Sequence, residues 1–359
     1  MSKLGDACSH LQDLYRIAGG RLGWFLARAA KGDITRVERT PASADVRWNL
    51  AYESDFPRGE RLYHQAKLHA WDPRSDVDWS ERTKPGEGLI RDEDWVGGAM
   101  GLADLLDERD RRQFNRESVG WVMSQLLHGE QGSLLLVSQL CDMRTDLDGK
   151  LFLASQAMDE ARHIEVFRRY LVENGIFAPI DPSMKAVVDS MLAQSSWRKK
   201  AIGMLIVVEG YAMGVFAFMR RSTTDPLLRR ILTLVMQDEG RHVGFGIESI
   251  AAEARDCPAG EWRELQGYAF SLIRSLYHAR ERGGLRSSLD GYWRYGRDRM
   301  GLSRADFDRA AFETGVAQRF QRELFHDTLL PSLQKLGLLD GPIARKYRNL
   351  GIDLPEKEA

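Results

Sequence analysis

The word Asp159-Glu160-Ala161-Arg162-His163 recurs 79 residues later as Asp238-Glu239-Gly240-Arg241-His242. The duplication reaches upstream, because Glu130 stands 30 residues before Glu160 and Glu209 stands 30 before Glu239. At ~1/20 usage per residue type, a four-identity word recurs in a chain of this length in about two sequences per thousand. The matched glutamates lower that by roughly another tenfold. Chance is a poor account. On a helix, Glu160 and His163 are i and i+3, so they share one face a single turn apart, and Glu239 and His242 do the same. One such word alone reads as an exposed ion-pair face. Written twice, each time with a matched glutamate, it reads as one half of a shared metal site.

Helical geometry gives the spacing its meaning. Glu130 lies about 11 residues before the turn at 145–149 and Glu160 about 11 after it. In an antiparallel pair with ~1.5 Å rise per residue, both then sit ~16 Å from the loop, at one height. Glu209 and Glu239 flank the 222–226 turn at equal distances in the same way. Four carboxylates (Glu130, Glu160, Glu209, Glu239) and two imidazoles (His163, His242) are therefore expected at one level of a four-helix core. Six oxygen and nitrogen donors without thiolate suit two divalent ions, iron or manganese, and helical bundles build dinuclear carboxylate sites in this way. Asp159 and Asp238 each precede a ligand. We expect them to reach across, Asp159 to His242 and Asp238 to His163, fixing each ring through its outer N–H. Arg162 and Arg241 would then neutralise the aspartates.

The rest of the chain suits an all-α architecture. Strand alternation is scarce, and Gly/Pro clusters separate helical stretches expected near 7–31, 114–142, 150–174, 198–222, 226–255, 260–283 and 303–336. Asp225-Pro226 is a helix-start signal. A Trp-rich stretch from 40 to 95, with Trp48, Tyr52, Tyr63 and Trp71, is expected to be irregular and to cover one end of the core without a role in chemistry. No linker composition divides the 359 residues, so one domain is expected: a core bundle at about 114–255, an N-terminal cover over 1–113 and C-terminal helices over 256–359. Residues 201–219 are apolar enough to cross a membrane, with Glu209 as their one charge. A lone carboxylate there is disfavoured in lipid but suits a buried bundle helix carrying a ligand, so no membrane span is expected.

Composition excludes other classes. Fifty-one Lys and Arg against 52 Asp and Glu leave a net charge of −1, which gives no electrostatic grip on nucleic acid. Three cysteines, Cys8, Cys141 and Cys257, are too scattered for a disulfide framework or a CxxC site. The first residues hold no apolar leader, and a cytoplasmic location is expected. His128, two residues before Glu130, should face away from the metals, as should Glu165 beyond His163. His64, His69, His278 and His326 have no partner at ligand spacing.

These residues make the chain resemble the ferritin-like superfamily of dinuclear iron carboxylate proteins, over about residues 114–255. The likeness is to its oxygen-activating branch: multicomponent monooxygenase hydroxylases, ribonucleotide reductase small subunits, acyl-ACP desaturases and p-aminobenzoate N-oxygenases. The resemblance implies a ferritin-like four-helix bundle with additional terminal helices. It also implies two iron ions, with Mn/Fe as the other occupant, held by Glu130, Glu160, His163, Glu209, Glu239 and His242 and supported by Asp159, Arg162, Asp238 and Arg241. Dioxygen would be the co-substrate and a separate reductase or ferredoxin the electron donor. The reaction implied is hydroxylation, N-oxygenation or desaturation of a small or carrier-tethered organic molecule, with a homodimer among the assemblies open to it. Leu126 and Gly129 match positions that line the substrate pocket, and Met213 and Phe167 are expected there too. Phe167 replaces the radical tyrosine of many reductase subunits, Val235 replaces a histidine of the N-oxygenases, and Met213 replaces the threonine of the hydroxylases. Iron handling by a ferroxidase, or a metal-bound but silent subunit of a larger oxygenase, are the alternatives from other classes.

Overall fold

The computed structural model describes residues 39–282 and 301–354, apart from positions 51, 85, 100, 102–105, 302, 304, 307–308, 311–312 and 314. Its helices longer than one turn are α1 (Pro57–Leu68), α2 (Glu108–Met143), α3 (Leu147–Asn174), α4 (Pro182–Leu192), α5 (Trp197–Ser222), α6 (Pro226–Ala254) and α7 (Ala259–Arg282). They are followed by α8, a continuous run of Gly315–Gln321, Arg322–Leu329 and Leu330–Lys335, and by α9 (Ile343–Asn349). Among the described residues the only β pairing is an isolated bridge between Ile90 and Thr223.

Local chemistry sets the helix ends. The four orphan N–H groups of a first turn need acceptors, and aspartate supplies them repeatedly. Asp107 accepts from the Asp110 N–H ahead of α2, Asp146 from Gly149 ahead of α3, and Asp225 from Leu227 ahead of α6. Asp181 accepts from Ser183 and Met184 ahead of α4, where Pro182 follows it as Pro226 follows Asp225. Gly175 closes α3 at φ 65°, a left-handed conformation that glycine adopts without a Cβ penalty. Buried Lys200 donates to the Leu192 carbonyl at 2.7 Å and the Met191 carbonyl at 3.3 Å, placing a cation at the C-terminal end of α4.

Three-residue turns at 144–146 and 223–225 make α2–α3 and α5–α6 antiparallel hairpins. A longer connection carrying α4 joins the two hairpins, giving an all-α four-helix core. The apolar helix α5 is the one helix among the described residues long and apolar enough to span a membrane. It lies mostly buried within the bundle. It is also not uniform, since Ile202–Val208 winds as π-helix directly before Glu209. An extra residue in a turn re-aims everything after it, and here the next side chain is the buried Glu209 carboxylate.

Three expectations change. The 40–95 segment is not wholly irregular, because α1 forms within it and packs on α3 and α6. Pro57 at the first helical position and Glu60 in the first turn are the local start signals. Helix α4 fills part of the stretch left between 174 and 198. The 303–336 helix holds from Gly315 to Lys335, with a π-helical middle at Arg322–Leu329. The 7–31 helix lies outside the described residues.

Candidate dinuclear metal centre

All six repeat-derived donors meet in the bundle, none more than 5% exposed. Glu130 comes from α2, Glu160 and His163 from α3, Glu209 from α5, and Glu239 and His242 from α6. Donor atoms of Glu130, Glu160, His163 and Glu239 lie within 4.8 Å of one another, and so do those of Glu160, Glu209 and His242. Two adjoining positions share Glu160.

The imidazole contacts resolve this into a pair. His163 Nδ1 is 3.2 Å from Glu239 Oε1, 3.3 Å from Glu130 Oε2 and 3.7 Å from Glu160 Oε2. His242 Nδ1 is 3.1 Å from Glu239 Oε2, 3.5 Å from Glu160 Oε1 and 3.9 Å from Glu209 Oε1. Glu160 and Glu239 thus each divide their two oxygens between the two imidazoles, the disposition of bridging carboxylates. Glu130 belongs to the His163 side and Glu209 to the His242 side.

The outer nitrogens point the other way. His163 Nε2–H donates to Asp238 Oδ2 at 3.1 Å, and His242 Nε2–H donates to Asp159 Oδ2 at 3.2 Å, crosswise between the halves. This leaves both Nδ1 lone pairs facing the carboxylates, as ligation requires. Arg162 bonds both Asp159 and, at 3.0 Å, Asp238. Arg241 bonds both Asp238 and, at 3.4 Å, Asp159. Two guanidiniums against two aspartates close that layer electrically.

The inner layer does not close by itself. Four buried carboxylates carry −4 against two imidazoles, and a buried charge is costly without compensation. Burial drives Glu130 and Glu209 well above the usual carboxylate range, with neighbouring glutamates adding to the rise at Glu209. His242 is pushed up to about 10 by Glu239 and Asp159 against the opposing effect of burial. Glu160 Oε2 and Glu239 Oε1 are buried without a hydrogen-bond partner. Two divalent cations supply +4 at this point and give those oxygens a partner, so the donor set fits a dinuclear centre.

Two participants carry no sequence signal of their own. Gln156, one turn before Glu160, is fully buried and donates from Nε2 to Glu160 Oε1 and Glu209 Oε1, both at 3.1 Å. Its spacing from Glu160 is the clue that helical periodicity could have supplied. Trp71 donates from Nε1 to Asp238 Oδ2 at 2.7 Å, lies near-parallel to the His163 ring with centroids 6.4 Å apart, and has the Arg162 guanidinium 4.9 Å from its own centroid. The 40–95 segment therefore does reach the centre, through a residue 167 positions from its partner. His128 faces away, its Nε2–H donating to the Ala178 carbonyl at 3.1 Å. Glu165 is exposed, 3.9 Å from Arg74.

Beside the centre, α2, α4, α5 and α8 enclose a cavity of about 270 Å³ whose wall includes Glu130 and Glu209 and is otherwise mostly apolar. Leu126 and Gly129 line it. Met213 and Phe167 do not. On α5 the wall centres on Val208, Ala212, Val215 and Met219, an i, i+4, i+7, i+11 stripe flanked by Tyr211 and Phe218, with Glu209 at its other edge. Met213 falls roughly 140° round from that stripe. Phe167 is wholly buried in the bundle, its ring 6.0 Å from that of Phe216.

No protein-family model matches the sequence, and no curated protein does. Solved structures similar to the chain include an R2-like ligand-binding oxidase with aerobically reconstituted Mn/Fe cofactor, at 18% identity and TM-score 0.43, covering 75% of this chain and 92% of that one. A valine-to-isoleucine variant of such an oxidase, anaerobically reconstituted with Mn/Fe, stands at 19% identity and TM-score 0.49, covering 75% and 93%.

Proposed function

We propose that this chain is a dinuclear-metal oxidoreductase of the oxygen-activating kind, acting on a small or carrier-tethered organic molecule in the cavity beside Glu130 and Glu209. The observation that carries the reading is the division of Glu160 and Glu239 between the two imidazoles, each imidazole backed by the aspartate of the opposite repeat. Glu130, Glu160, His163 and Glu239 would hold one ion, and Glu160, Glu209, Glu239 and His242 the other. A bound iron pair, or a manganese–iron pair, supplies the electrons with which dioxygen is reduced. Those electrons would come from a separate reductase or ferredoxin.

The chain's own residues do the rest. Asp238 and Asp159 hold both rings with Nδ1 inward, which keeps them as neutral donors. Arg162 and Arg241 each pair with both aspartates, which compensates the buried charge. Glu130 and Glu209 would each serve the ion on their own side, while Glu160 and Glu239 would serve both. The cavity wall around Leu126, Val215 and Met219 excludes water from the reacting face, which protects an oxidising centre from side reactions. That same wall favours an organic substrate over iron handling, since hydrated ferrous ion would enter through an apolar chamber.

The test is metal stoichiometry with oxygen uptake. Anaerobic Fe(II) titration should saturate at two ions per chain with the Mössbauer signature of a coupled pair, and added dioxygen should then be consumed stoichiometrically. Saturation at one ion, or two uncoupled ions, overturns the reading. Growth of an iron mineral in a large hollow assembly would replace it with iron storage.

A further inference from the structure

One buried residue on the cavity wall carries a hydroxyl to which the described residues supply no hydrogen bond. Helix α2 contains four serines, and three bond back to the carbonyl one turn earlier: Ser118 to Phe114 at 2.8 Å, Ser124 to Gly120 at 2.6 Å and Ser138 to Leu134 at 2.8 Å. That is the usual resting place for a helical serine hydroxyl. Ser133 is the exception. It is 5% exposed, it lines the cavity, and its hydroxyl makes no hydrogen bond among the described residues. Two other polar side chains on the wall are already engaged. Gln125 is held by the Pro179 carbonyl and the Asp181 N–H, and Asp94 is paired with Arg91 and Arg319.

Position gives this hydroxyl a use. Ser133 is i+3 from Glu130, one turn along the same face. In the duplicated hairpin the equivalent residue is Ala212, also on the cavity wall, so the two halves present one hydroxyl and one methyl across the same space. A lone hydroxyl in an apolar chamber is costly to leave unpaired and discriminates strongly for a molecule that pairs it.

Resting on the oxidoreductase reading for the identity of the site, we propose that Ser133 is a substrate-positioning residue that donates its hydroxyl proton to a single acceptor oxygen on an otherwise apolar substrate. The substrate class is an apolar body with one carbonyl or ether oxygen, anchored one helical turn from the Glu130–Glu209 edge. The carbon next to that oxygen would then lie toward the metal centre.

The test uses a matched pair of probes, acetophenone and ethylbenzene, titrated calorimetrically into the full-length protein with and without two equivalents of iron. The protein should prefer the ketone. Ser133→Ala should weaken acetophenone about fivefold, the effect of losing one net hydrogen bond, and change ethylbenzene by less than about twofold. Ser133→Thr, which keeps the hydroxyl, should restore the preference. Equal losses for both probes, no loss for either, or failure of both to bind the parent protein overturns the assignment. Ketone preference that depends on Ser133 in a protein that takes up no iron supports the anchor while defeating the oxidoreductase reading, so the two claims fail separately.

Discussion

The two hairpins carry the same word in the same register, yet their surroundings differ. The α2–α3 hairpin reaches its first glutamate through regular helix, whereas the α5–α6 hairpin reaches Glu209 through the π-helical turn Ile202–Val208. Gln156 in the first half corresponds to Val235 in the second, and both are fully buried. Asp238 receives the Trp71 indole in addition to His163 and both arginines, and among the described residues Asp159 receives no indole. The ligands are thus duplicated and the layer around them is not. Duplication suffices to make two candidate metal positions, and the departures from it make their surroundings unequal.

Ligand removal tests the sharing most strongly. Glu160→Ala or Glu239→Ala should abolish tight binding of both ions, while Glu130→Ala or Glu209→Ala should leave one, read by metal analysis after anaerobic loading and desalting. His242→Ala should likewise spare the His163 side. Loss of both ions from every variant would mean that the halves are not separable.

The aspartates come next. Asp238→Asn and Asp159→Asn should each lower metal affinity by about 10–100-fold, because the outer partner fixes the ring that ligates. The loss should be larger for Asp238, whose oxygen also accepts from Trp71. Trp71→Phe should weaken only the His163-side ion, by several-fold, in competition titrations with a chelator. An equal effect of Trp71→Phe on both ions would show that the indole supports the fold and not one position.

Gln156→Met, which keeps volume but removes both donations, should alter the His242-side ion by a few-fold and leave the other nearly unchanged. The smallest expected effect is on the pH dependence of folding. His242 is raised from 6.5 to about 10 in the metal-free chain. A raised folded value means that its stabilisation is complete below about pH 6.5 and is lost as pH climbs toward 10. Glu130 and Glu209, raised by burial, act in the same direction. Metal-free protein should therefore lose thermal stability through this window, and the slope should flatten once metal replaces the protons. A flat profile in both forms would contradict the proton load assigned to the cluster.

What the sequence made legible follows from where the information lay. The clustering of the six donors, their one-turn spacing and the crosswise Asp–His pairs could be read because each depends on helical periodicity and on a register set by short turns. Trp71 could not, because its bond to Asp238 spans 167 positions and depends on how the 40–95 segment wraps the bundle. Helix α1 was hidden by the irregular composition around it, although Pro57 and Glu60 mark its start. The pocket was half legible. Leu126 and Gly129, expected from the resemblance, lie on the cavity wall, whereas Met213 and Phe167, expected from it too, do not, because α5 presents a different stripe beside Glu209 and Phe167 sits inside the bundle.

The sharing of Glu160 and Glu239 is tested most directly by crystallography of the iron-loaded protein at the iron absorption edge. Two anomalous peaks roughly 3.5–4 Å apart, one beside His163 Nδ1 and one beside His242 Nδ1 with both glutamates spanning them, is the predicted result. A single peak, or peaks elsewhere with the six side chains ligating nothing, would contradict it.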